Sequence, residues 1–523
     1  MRTTLRRRLA ATLTAVAVVS VLTACSTTAG SAPAPEATSG WDGTQVTDHT
    51  LTIAFATGWT SLDPVNNNAG IRDLSVIRSL YSALTLTDEK GDVQPDIATE
   101  WERSADNAWT FTLRDDVVFP DGEKLDAANV VFNIERTLHE AENPSNWITA
   151  SIANITSVVA DSDYQVTITT QEPDLQLPRR LSGVYFVSST FAASHDLKTE
   201  ASGTGPYQLV SFNPDSEVDL VASEKYHGGV VPYKNVRLVL AADSAAKVNG
   251  LKTGEIDAAN IIDPTDFSQL NDAGVETGAV PSARVMLLQV NASVEPLQDV
   301  KVRQAISLGI DRKAITDSIF QGLVEPAHDQ NISDVYDAWN EELGFSEYDP
   351  KKAKKLLAEA GYPDGFTVEY LTTQNSTIAN EQIAQIISSQ LAEIGITLQL
   401  SVVPRAVGAE RGASAETAAG LTYGGFIDTA VVAAETLRYI GSTHNQAFSD
   451  VAVGYDEAVA AARAANSDKE KQAAIDKATE LALANQQTIY LWPLAQTFAH
   501  SADVVWPIRA DDYLLPFTIT PAE

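Results

Sequence analysis

The stretch WTFTLRDDVVFPDG, residues 109–122, bears most directly on the fold of this 523-residue chain. Residues 109–113 alternate apolar and polar side chains, as does the segment 166–169, and such alternation is typical of half-buried β-strands. Between these segments, Asp126 begins a helical pattern and suits the N-cap position. The sequence therefore predicts a strand, a helix and a further strand in succession.

The rest of the chain continues this interleaving of helix and strand patterns. Residues 51–55 alternate like a strand, and residues 71–84 have the apolar spacing of a helix. In the second half, the Ala-rich segment 455–487 is helical in pattern. Interleaved helices and strands predict an α/β or mixed α+β class.

Two helices of the second half have well-marked ends. Asp349 followed by Pro350 is typical of an N-cap and a first helical residue, and Gly361 of a helix end. A second helix stops at Gly395, and a strand is predicted over residues 396–402 directly after it. The apolar face of that second helix consists of Ile383, Ile386, Ile387, Leu391 and Ile394.

The composition excludes several classes of function. The chain has 36 basic and 69 acidic residues, a net charge of -33, so it repels polyphosphate and we expect no nucleic-acid partner. A single cysteine cannot form an intramolecular disulfide or a zinc site built from several cysteines. At about 150 residues per domain, the length suggests two to four domains.

The N-terminal segment carries an export pattern. Arginines at positions 2 and 6–8 precede an apolar stretch, residues 9–22, that is too short to span a bilayer about 30 Å thick. The following LTAC, residues 22–25, resembles the bacterial lipobox, in which cleavage before the cysteine is followed by attachment of lipid to its sulfur. We therefore expect a lipoprotein signal peptide over 1–24 and a lipid on Cys25. The alternative is an ordinary secretory signal.

The segment after the signal has the composition of a flexible tether, which we place at 25–45, because Ser, Thr, Ala, Gly and Pro predominate there. No later stretch of the sequence reaches about 18 consecutive apolar residues. The expected arrangement is a soluble body held by lipid on the outer, extracytoplasmic face of the cell membrane.

The sequence lacks the common catalytic motifs. G-x-S-x-G, H-E-x-x-H and the Walker A loop are absent, and none of the seven histidines lies three or four positions from another. SAAK at 244–247 and KTG at 252–254 match two motifs of penicillin-recognising serine enzymes, but they lie much closer together than in those enzymes, and we interpret them as coincidental. We predict no catalytic residue, no metal and no cofactor.

Several segments, in the right order over roughly residues 50–400, resemble the bacterial extracellular solute-binding proteins of family 5. These are the dipeptide-, oligopeptide- and nickel-type receptors of ABC importers. The segments are TSLDP at 60–64, VQPDIATEW at 93–101, WTFTLRDDVVFPDG at 109–122, LDAANVVF at 125–132, GTGPY at 203–207, TGEID at 253–257, DVKVRQAI at 299–306, IDR at 310–312 and YDPKKAKKLLAEAG at 348–361.

The resemblance implies a two-lobed, periplasmic-binding-protein-like fold with ligand held between lobes that close like a hinge. Lobe I is discontinuous and carries an inserted subdomain, and lobe II comes from the C-terminal half. The expected bounds of lobe I are 46–80, 200–285 and 495–523, with the insert at 81–199 and lobe II at 286–494.

The resemblance also implies where the ligand binds. In peptide-binding members an acidic residue holds the α-ammonium of the peptide, and YGGFIDTA at 423–430 occupies the matching place, so Asp428 is the expected anchor. Phe426 stands where the family has Trp, and no Asp-Pro follows, so the peptide assignment stays open. The other candidate contacts are Trp59, which could stack on a ligand, Tyr185, Tyr423, Asn445 and Arg405, which would suit a carboxylate.

The expected mechanism is binding without chemistry. Ligand, in the first instance a peptide, stabilises the closed form, and an ABC permease with its ATPase complex then takes it from the receptor, which we expect to be a monomer. Three alternatives remain open. They are another cargo (a nickel chelate, an oligosaccharide or an opine-like compound), a secreted hydrolase, and a surface sensor or peptide chaperone.

Overall fold

The computed structural model describes residues 43, 46–66, 71–88, 91–139, 147–336, 338–374, 377–412, 414–427, 432–442 and 451–522. Its strands are β1 (Thr47–Phe55), β2 (Thr85–Thr87), β3 (Val93–Pro95), β4 (Ala98–Ala105), β5 (Ala108–Leu113), β6 (Ile155–Ser162), β7 (Gln165–Thr170), β8 (Tyr207–Asn213), β9 (Glu217–Ala222), β10 (Tyr233–Leu240), β11 (Ala258–Asn260), β12 (Val275–Val290), β13 (Phe366–Thr373), β14 (Ile396–Val403), β15 (Leu421–Phe426), β16 (Thr488–Ser501), β17 (Val504–Val505) and β18 (Thr520–Pro521).

The helices of the described residues are α1 (Ile71–Leu80), α2 (Ala127–His139), α3 (Trp147–Ile152), α4 (Leu177–Arg180), α5 (Ser189–Ala192), α6 (Ser244–Thr253), α7 (Phe267–Asn271), α8 (Glu295–Gln298), α9 (Val300–Leu308), α10 (Arg312–Ile319), α11 (Pro350–Glu359), α12 (Asn380–Glu393), α13 (Arg405–Gly412), α14 (Ala433–Arg438), α15 (Tyr455–Arg463) and α16 (Asp468–Asn485). Within these residues, no helix combines the length and the apolar character that a membrane crossing requires.

Ten strands form one mixed sheet, in the spatial order β14-β13-β15-β12-β16-β11-β1-β10-β9-β8. The long strands β12 and β16 pair antiparallel through its middle, from Val275 opposite Ser501 to Gln289 opposite Thr488. We call β15, β13 and β14 the C-terminal half-sheet, and β11, β1, β10, β9 and β8 the N-terminal half-sheet. This mixed α/β architecture confirms the predicted class.

The two half-sheets meet along β12 and β16, where the pairing is irregular between Pro281 and Val285. Beyond that irregularity β12 also pairs with β15, from Val285 to Val290. At the other end β16 pairs with β11 through Phe498, Ala499 and His500. Strand β12 is therefore bonded to the C-terminal half-sheet and β16 to the N-terminal half-sheet, and the β12–β16 pairing joins the two.

The sequence patterns of the C-terminal half-sheet are confirmed. Helix α12 connects the parallel strands β13 and β14 and buries Ile383, Ile387 and Leu391, because these residues recur on one helix face. The Asp349 side chain accepts hydrogen bonds from two amides of the first turn of α11, as an N-cap residue does. The Ala-rich segment forms two helices, α15 and α16.

A second sheet, in the order β4-β5-β7-β6, lies within the predicted insert. Its apolar residues pack with α2 into one cluster that contains Phe111, Val130, Ile134 and Ile168. Asp126 caps α2 as predicted, since its carboxylate accepts the Asn129 amide hydrogen bond at 3.1 Å. The bounds proposed for the lobes and the insert stay predictions.

Helix α1 ends at Leu80, whereas the apolar spacing predicted a helix as far as residue 84. Segments distant in sequence take over the backbone groups there. The Gly205 amide donates to the Leu80 carbonyl at 3.0 Å, and the Phe186 amide donates to the Ser82 carbonyl at 2.9 Å. Leu84 is nevertheless buried, so the apolar pattern marked core residues beyond the end of the helix.

Candidate functional site

Trp59 lies in the loop that follows β1, and its ring packs edge-on against Phe55, with ring centroids 5.5 Å apart. The residue is only 4 % exposed, and among the described residues its Nε1 has no hydrogen-bond partner. Helix α1 holds this loop, because Asp73 accepts hydrogen bonds from the Thr60 amide and hydroxyl at 2.9 and 2.7 Å. Stacking of Trp59 on a ligand stays a prediction.

Tyr185 follows the 3₁₀ turn Leu181–Gly183 and is buried. Burial raises the pKa of its hydroxyl to about 12, and the positive charge of Arg78 opposes that rise. The Arg78 guanidinium stands 4.6 Å from the centre of the Tyr513 ring and 3.7 Å from Asp511. Tyr185 therefore belongs to a buried polar region that the C-terminal segment completes, and its contact with ligand stays a prediction.

Tyr423 and Phe426 lie on β15 and differ in burial. Tyr423 pairs with Leu288 of β12 and is buried, and burial raises the pKa of its hydroxyl. Phe426, at the end of β15, is half-buried and stacks on Tyr439, with ring centroids 5.3 Å apart and planes 6° from parallel. Phe426 thus presents an aromatic surface at the strand end, while Tyr423 contributes to the core.

Three other predicted contacts cannot be placed. Asp428 and Asn445 lie outside the described residues, and Arg405 begins α13 with a side chain that is also outside them. Cys25, the predicted lipid attachment point, is likewise outside the described residues. All four assignments stay predictions.

Five charged side chains meet where the segment after β7 contacts the segment after β15. Arg180 Nη1 lies 2.5 Å from Glu435 Oε1, and Arg180 Nε lies 2.9 Å from Asp174 Oδ2. Arg463 Nε lies 2.8 Å from the same Oε1, and Arg438 Nε lies 2.9 Å from the other carboxylate oxygen, Oε2. We call these five residues the Glu435 cluster.

The electrostatics of the Glu435 cluster favour an ionised Glu435. Burial alone would raise the pKa of its carboxyl, but the guanidiniums of Arg180, Arg463 and Arg438 outweigh burial and lower the pKa to about 2. Asp174 differs, because burial raises its pKa more than Arg180 lowers it. The cluster is therefore held by Glu435, whose negative charge lies among three positive ones.

The Glu435 cluster continues into the aromatic pair at the end of β15. The Arg438 guanidinium stands 5.3 Å from the centre of the Tyr439 ring, which stacks in turn on Phe426. The residues that join Arg180 to Phe426 therefore form one continuous chain of contacts. This chain of contacts ends on β15. The predicted ligand anchor, Asp428, comes two residues after that strand in the sequence.

Sequence reasoning did not predict the Glu435 cluster. The available signal was the presence of charged residues inside apolar segments, LPRRLSGVYF at 177–186 and VVAAETL at 431–437. A charged side chain that is fully buried needs a partner of opposite charge. The sequence could therefore have predicted that each segment contributes a residue to a buried ion pair. It could not have predicted that the two segments pair with each other.

The SAAK motif has a structural role at the start of α6. The Lys247 ammonium is buried and donates hydrogen bonds to the backbone carbonyls of Asn260 and Ile261 at 3.0 and 2.6 Å. Ser244 Oγ instead donates to Asp266 at 3.3 Å. Lys247 thus holds the turn after β11.

Comparison with known proteins agrees with this architecture. The family model described as "Bacterial extracellular solute-binding proteins, family 5 Middle" matches residues 92–437, well over half of the chain. The chain belongs to family 5 of the bacterial extracellular solute-binding proteins. The predicted family is thereby confirmed.

Individual members of the family resemble this chain at moderate identity. The glutathione-binding protein GsiB of Salmonella paratyphi A is 28 % identical over 368 residues, 68 % of this chain and 69 % of that protein. The heme-binding protein A of Haemophilus influenzae is 27 % identical over 421 residues, 74 % of this chain and 76 % of that protein. The structure of DppA from Helicobacter pylori in complex with the peptide STSA superposes with a TM-score of 0.79 at 22 % identity, covering 91 % of this chain and 98 % of that one.

Membership of family 5 establishes the general role. Proteins of this family are extracytoplasmic solute-binding components of ABC importers, and the relatives are binding proteins rather than enzymes. The likeness to DppA confirms the periplasmic-binding-protein fold.

Proposed function

We propose that this chain is a lipid-anchored receptor that captures peptides between its two lobes and delivers them to an ABC permease. One observation supports it most directly. Within the described sheet, the half-sheets are joined only through the pairing of β12 with β16, while the buried Arg180–Glu435 pair joins segments 255 positions apart. Two segments that a hinge connects and a buried contact closes are the arrangement of a ligand-capturing receptor.

Asp428 anchors the ligand in this proposal, because its carboxylate can accept charge-assisted hydrogen bonds from a peptide ammonium. The further contacts proposed are Trp59, Tyr185, Arg405, Tyr423, Phe426 and Asn445. Phe426, which stacks on Tyr439, lies two positions before Asp428 in the sequence.

The lipid on Cys25 and the monomeric state complete the proposal. The lipid holds the receptor near its permease, and the low-charge segment 25–45 gives it reach. A Cys25→Ser variant should no longer be found in the membrane fraction, and it should no longer be labelled by an alkyne fatty acid. Membrane retention and labelling of that variant would contradict the anchor without affecting the ligand assignment.

Native mass spectrometry of the mature chain, purified from its own source, tests the cargo. A series of peptide masses released by gentle denaturation is expected. Asp428→Asn should abolish that load, whereas Asp215→Asn, which changes an exposed turn carboxylate, should keep it. A single non-peptide mass would contradict the peptide cargo and leave the receptor role intact.

A second cargo class has specific support from the relatives. The names of two relatives state different ligands, glutathione for GsiB and heme for the heme-binding protein A of Haemophilus influenzae. Relatives that are similarly identical to this chain therefore carry different ligands. Phe426 in place of the Trp expected for peptide receptors is consistent with such a difference. Release of glutathione or a tetrapyrrole in the same experiment would favour this alternative.

A further inference from the structure

The exposed side of helix α11 carries a concentration of positive charge. Residues 351–355 read KKAKK, so four of the 36 basic residues of the chain lie within five positions. The helix buries Ala353 and Leu357 in the core of the C-terminal half-sheet. The four lysines of the segment are exposed, and we call them the lysine face: Lys351, Lys352, Lys354 and Lys355.

Carboxylates of the protein neutralise the lysine face only in part. Glu359 lies 3.9 Å from Lys355 and 3.1 Å from Lys301 of the adjacent helix α9. Among the described residues, the other three lysines of the face take part in no ion pair. Four lysines against Glu359 give α11 a net charge of +3, in a chain whose net charge is -33.

The lysine face does not serve the stability of its own helix. Lys351 and Lys352 stand in the first turn of α11, which holds no acidic residue, so they lie at the positive end of the helix dipole. Lys355 follows Lys351 by four positions, and like charges at that spacing repel each other. Helix stability would favour acidic residues in these places, so the lysines indicate a partner outside the fold.

Two exposed aromatic residues precede the lysine face in the chain. Phe345 is 50 % exposed and Tyr348 is 40 % exposed, and Pro350 then begins α11. Aromatic side chains next to lysines are typical of protein surfaces that lie at the boundary between a membrane and water. The composition of this region therefore favours a membrane surface as the partner.

The proposed anchor keeps such a surface within reach. The tether 25–45 has 21 residues, which span at most about 70 Å when fully extended. An anionic membrane repels most of a chain with a net charge of -33 and attracts a cluster of lysines. A tethered receptor therefore lowers its free energy when it turns the lysine face towards the headgroups.

We infer that the lysine face of α11 binds the anionic headgroups of the membrane to which the receptor is tethered. The inference rests on the proposed tether and adds an orientation to it, because one side of the C-terminal half then lies against the membrane. The partner is a lipid surface with a net negative charge.

Lysine acetylation on vesicles tests the inference. Cys25 is the only cysteine of the chain, so the full mature chain can be coupled through it to a maleimide lipid. The vesicles consist of phosphatidylcholine alone or contain roughly one-third phosphatidylglycerol. A lysine near an anionic surface gains about fivefold in affinity, so the lysine face should be acetylated at least about fivefold more slowly on the anionic vesicles.

Lys469 and Lys477, exposed on α16, are the internal reference and should be acetylated equally on both kinds of vesicle. Protection of the lysine face should disappear in about 1 M salt, where the Debye length is about 3 Å. Equal rates on both vesicles, protection that resists salt, or equal protection of α11 and α16 would each overturn the inference.

Two double variants of equal net charge make the matched comparison. Lys351→Gln with Lys355→Gln should remove the protection of the two remaining lysines of the face, whereas Lys469→Gln with Lys477→Gln should keep it. Thermal unfolding should show no loss of stability in the first variant, because its lysines oppose the helix dipole. Retained protection in that variant would contradict the role of the face.

Native membranes that carry the permease complex separate the two partners that could offer negative charge. Protection there, without protection on the phosphatidylglycerol vesicles, would overturn the lipid surface as the partner in favour of a protein. The maleimide link does not depend on natural lipidation of Cys25. Fatty-acid labelling of Cys25 therefore tests the proposed anchor separately, and either result can fail without the other.

Discussion

Arg180 and Glu435 are separated by 255 positions in the chain, yet Arg180 Nη1 lies 2.5 Å from Glu435 Oε1. Both side chains are only 1 % exposed. Arg180 belongs to the predicted insert and Glu435 to predicted lobe II, so the pair spans the boundary that a hinge motion would open. Opening there would expose both charges to water, and closing would re-form the ion pair.

Replacing Glu435 tests the energetic weight of this contact. Glu435→Gln leaves the guanidiniums of Arg180, Arg438 and Arg463 without their shared carboxylate. Removing one partner of a buried ion pair costs about 3–5 kcal/mol, so urea denaturation should show a loss of that order. Small-angle scattering should also show a larger radius of gyration, because the open form is then relatively favoured.

Glu217→Gln serves as the control for this change, since Glu217 pairs with the exposed Arg237. Exposed pairs contribute about 0–1 kcal/mol, and scattering from that variant should match the parent chain. Equal unfolding curves for Glu435→Gln and Glu217→Gln would show that the Arg180–Glu435 pair does not stabilise the fold, and equal radii of gyration would show that it does not hold the closed form.

Elements with local sequence signals were largely predictable, and the Arg180–Glu435 pair was not. Local patterns predicted α11, α12 and β14, because the apolar spacing and the caps at Asp349 and Gly395 lie within one element. The Arg180–Glu435 contact depends on two chain segments that no local pattern connects. It arises because α4 and α14 lie side by side in the folded chain.

Arg284 illustrates a second limit. The segment VPSARVMLLQV at 280–290 has the character of one apolar strand, and a single arginine in it carries no specific signal. The irregular pairing between Pro281 and Val285, and the space beside Gly425, arise from strands distant in sequence. The aromatic residues of the site were proposed from family resemblance, but their burial, as for Tyr423, follows from strand pairing.

Acid should weaken the Glu435 contact in a defined pH range. The pKa of Glu435 falls from an ordinary 4.5 to about 2 in the folded chain, so the ionised carboxylate favours folding. That contribution is complete above about pH 5 and is lost as the pH falls through 4 towards 2. Urea denaturation at successive pH values should show this loss, and Glu435→Gln should have a flatter profile than Glu217→Gln over the same range.

The GTGPY segment should not tolerate a side chain at its second glycine. A Cβ on Gly205 would lie 2.6 Å from the Leu80 carbonyl carbon and 2.7 Å from the Tyr81 amide nitrogen, so the backbone after α1 would have to move. Gly205→Ala should lower the unfolding free energy by about 1–3 kcal/mol, as overpacking does. Gly344→Ala, where a Cβ would meet nothing within 4 Å, should unfold like the parent chain. Comparable stability of the two variants would mean that the α1 terminus adapts freely.

Two adjacent glycines of β15 differ in the space available beside them. Gly425→Ala would place a methyl group 2.8 Å from the Val285 carbonyl oxygen and 3.1 Å from Arg284 Cγ, whereas Gly424→Ala would enter open space. The first variant should lose about 1–3 kcal/mol of stability and displace the Arg284 side chain. Urea denaturation measures this loss. Gly424→Ala should retain the stability of the parent chain, because it adds the same methyl group on the other face of the same strand. An equal loss of stability in both variants would mean that β15 resists any added side chain, and that the close approach of Gly425 to β12 has no special weight.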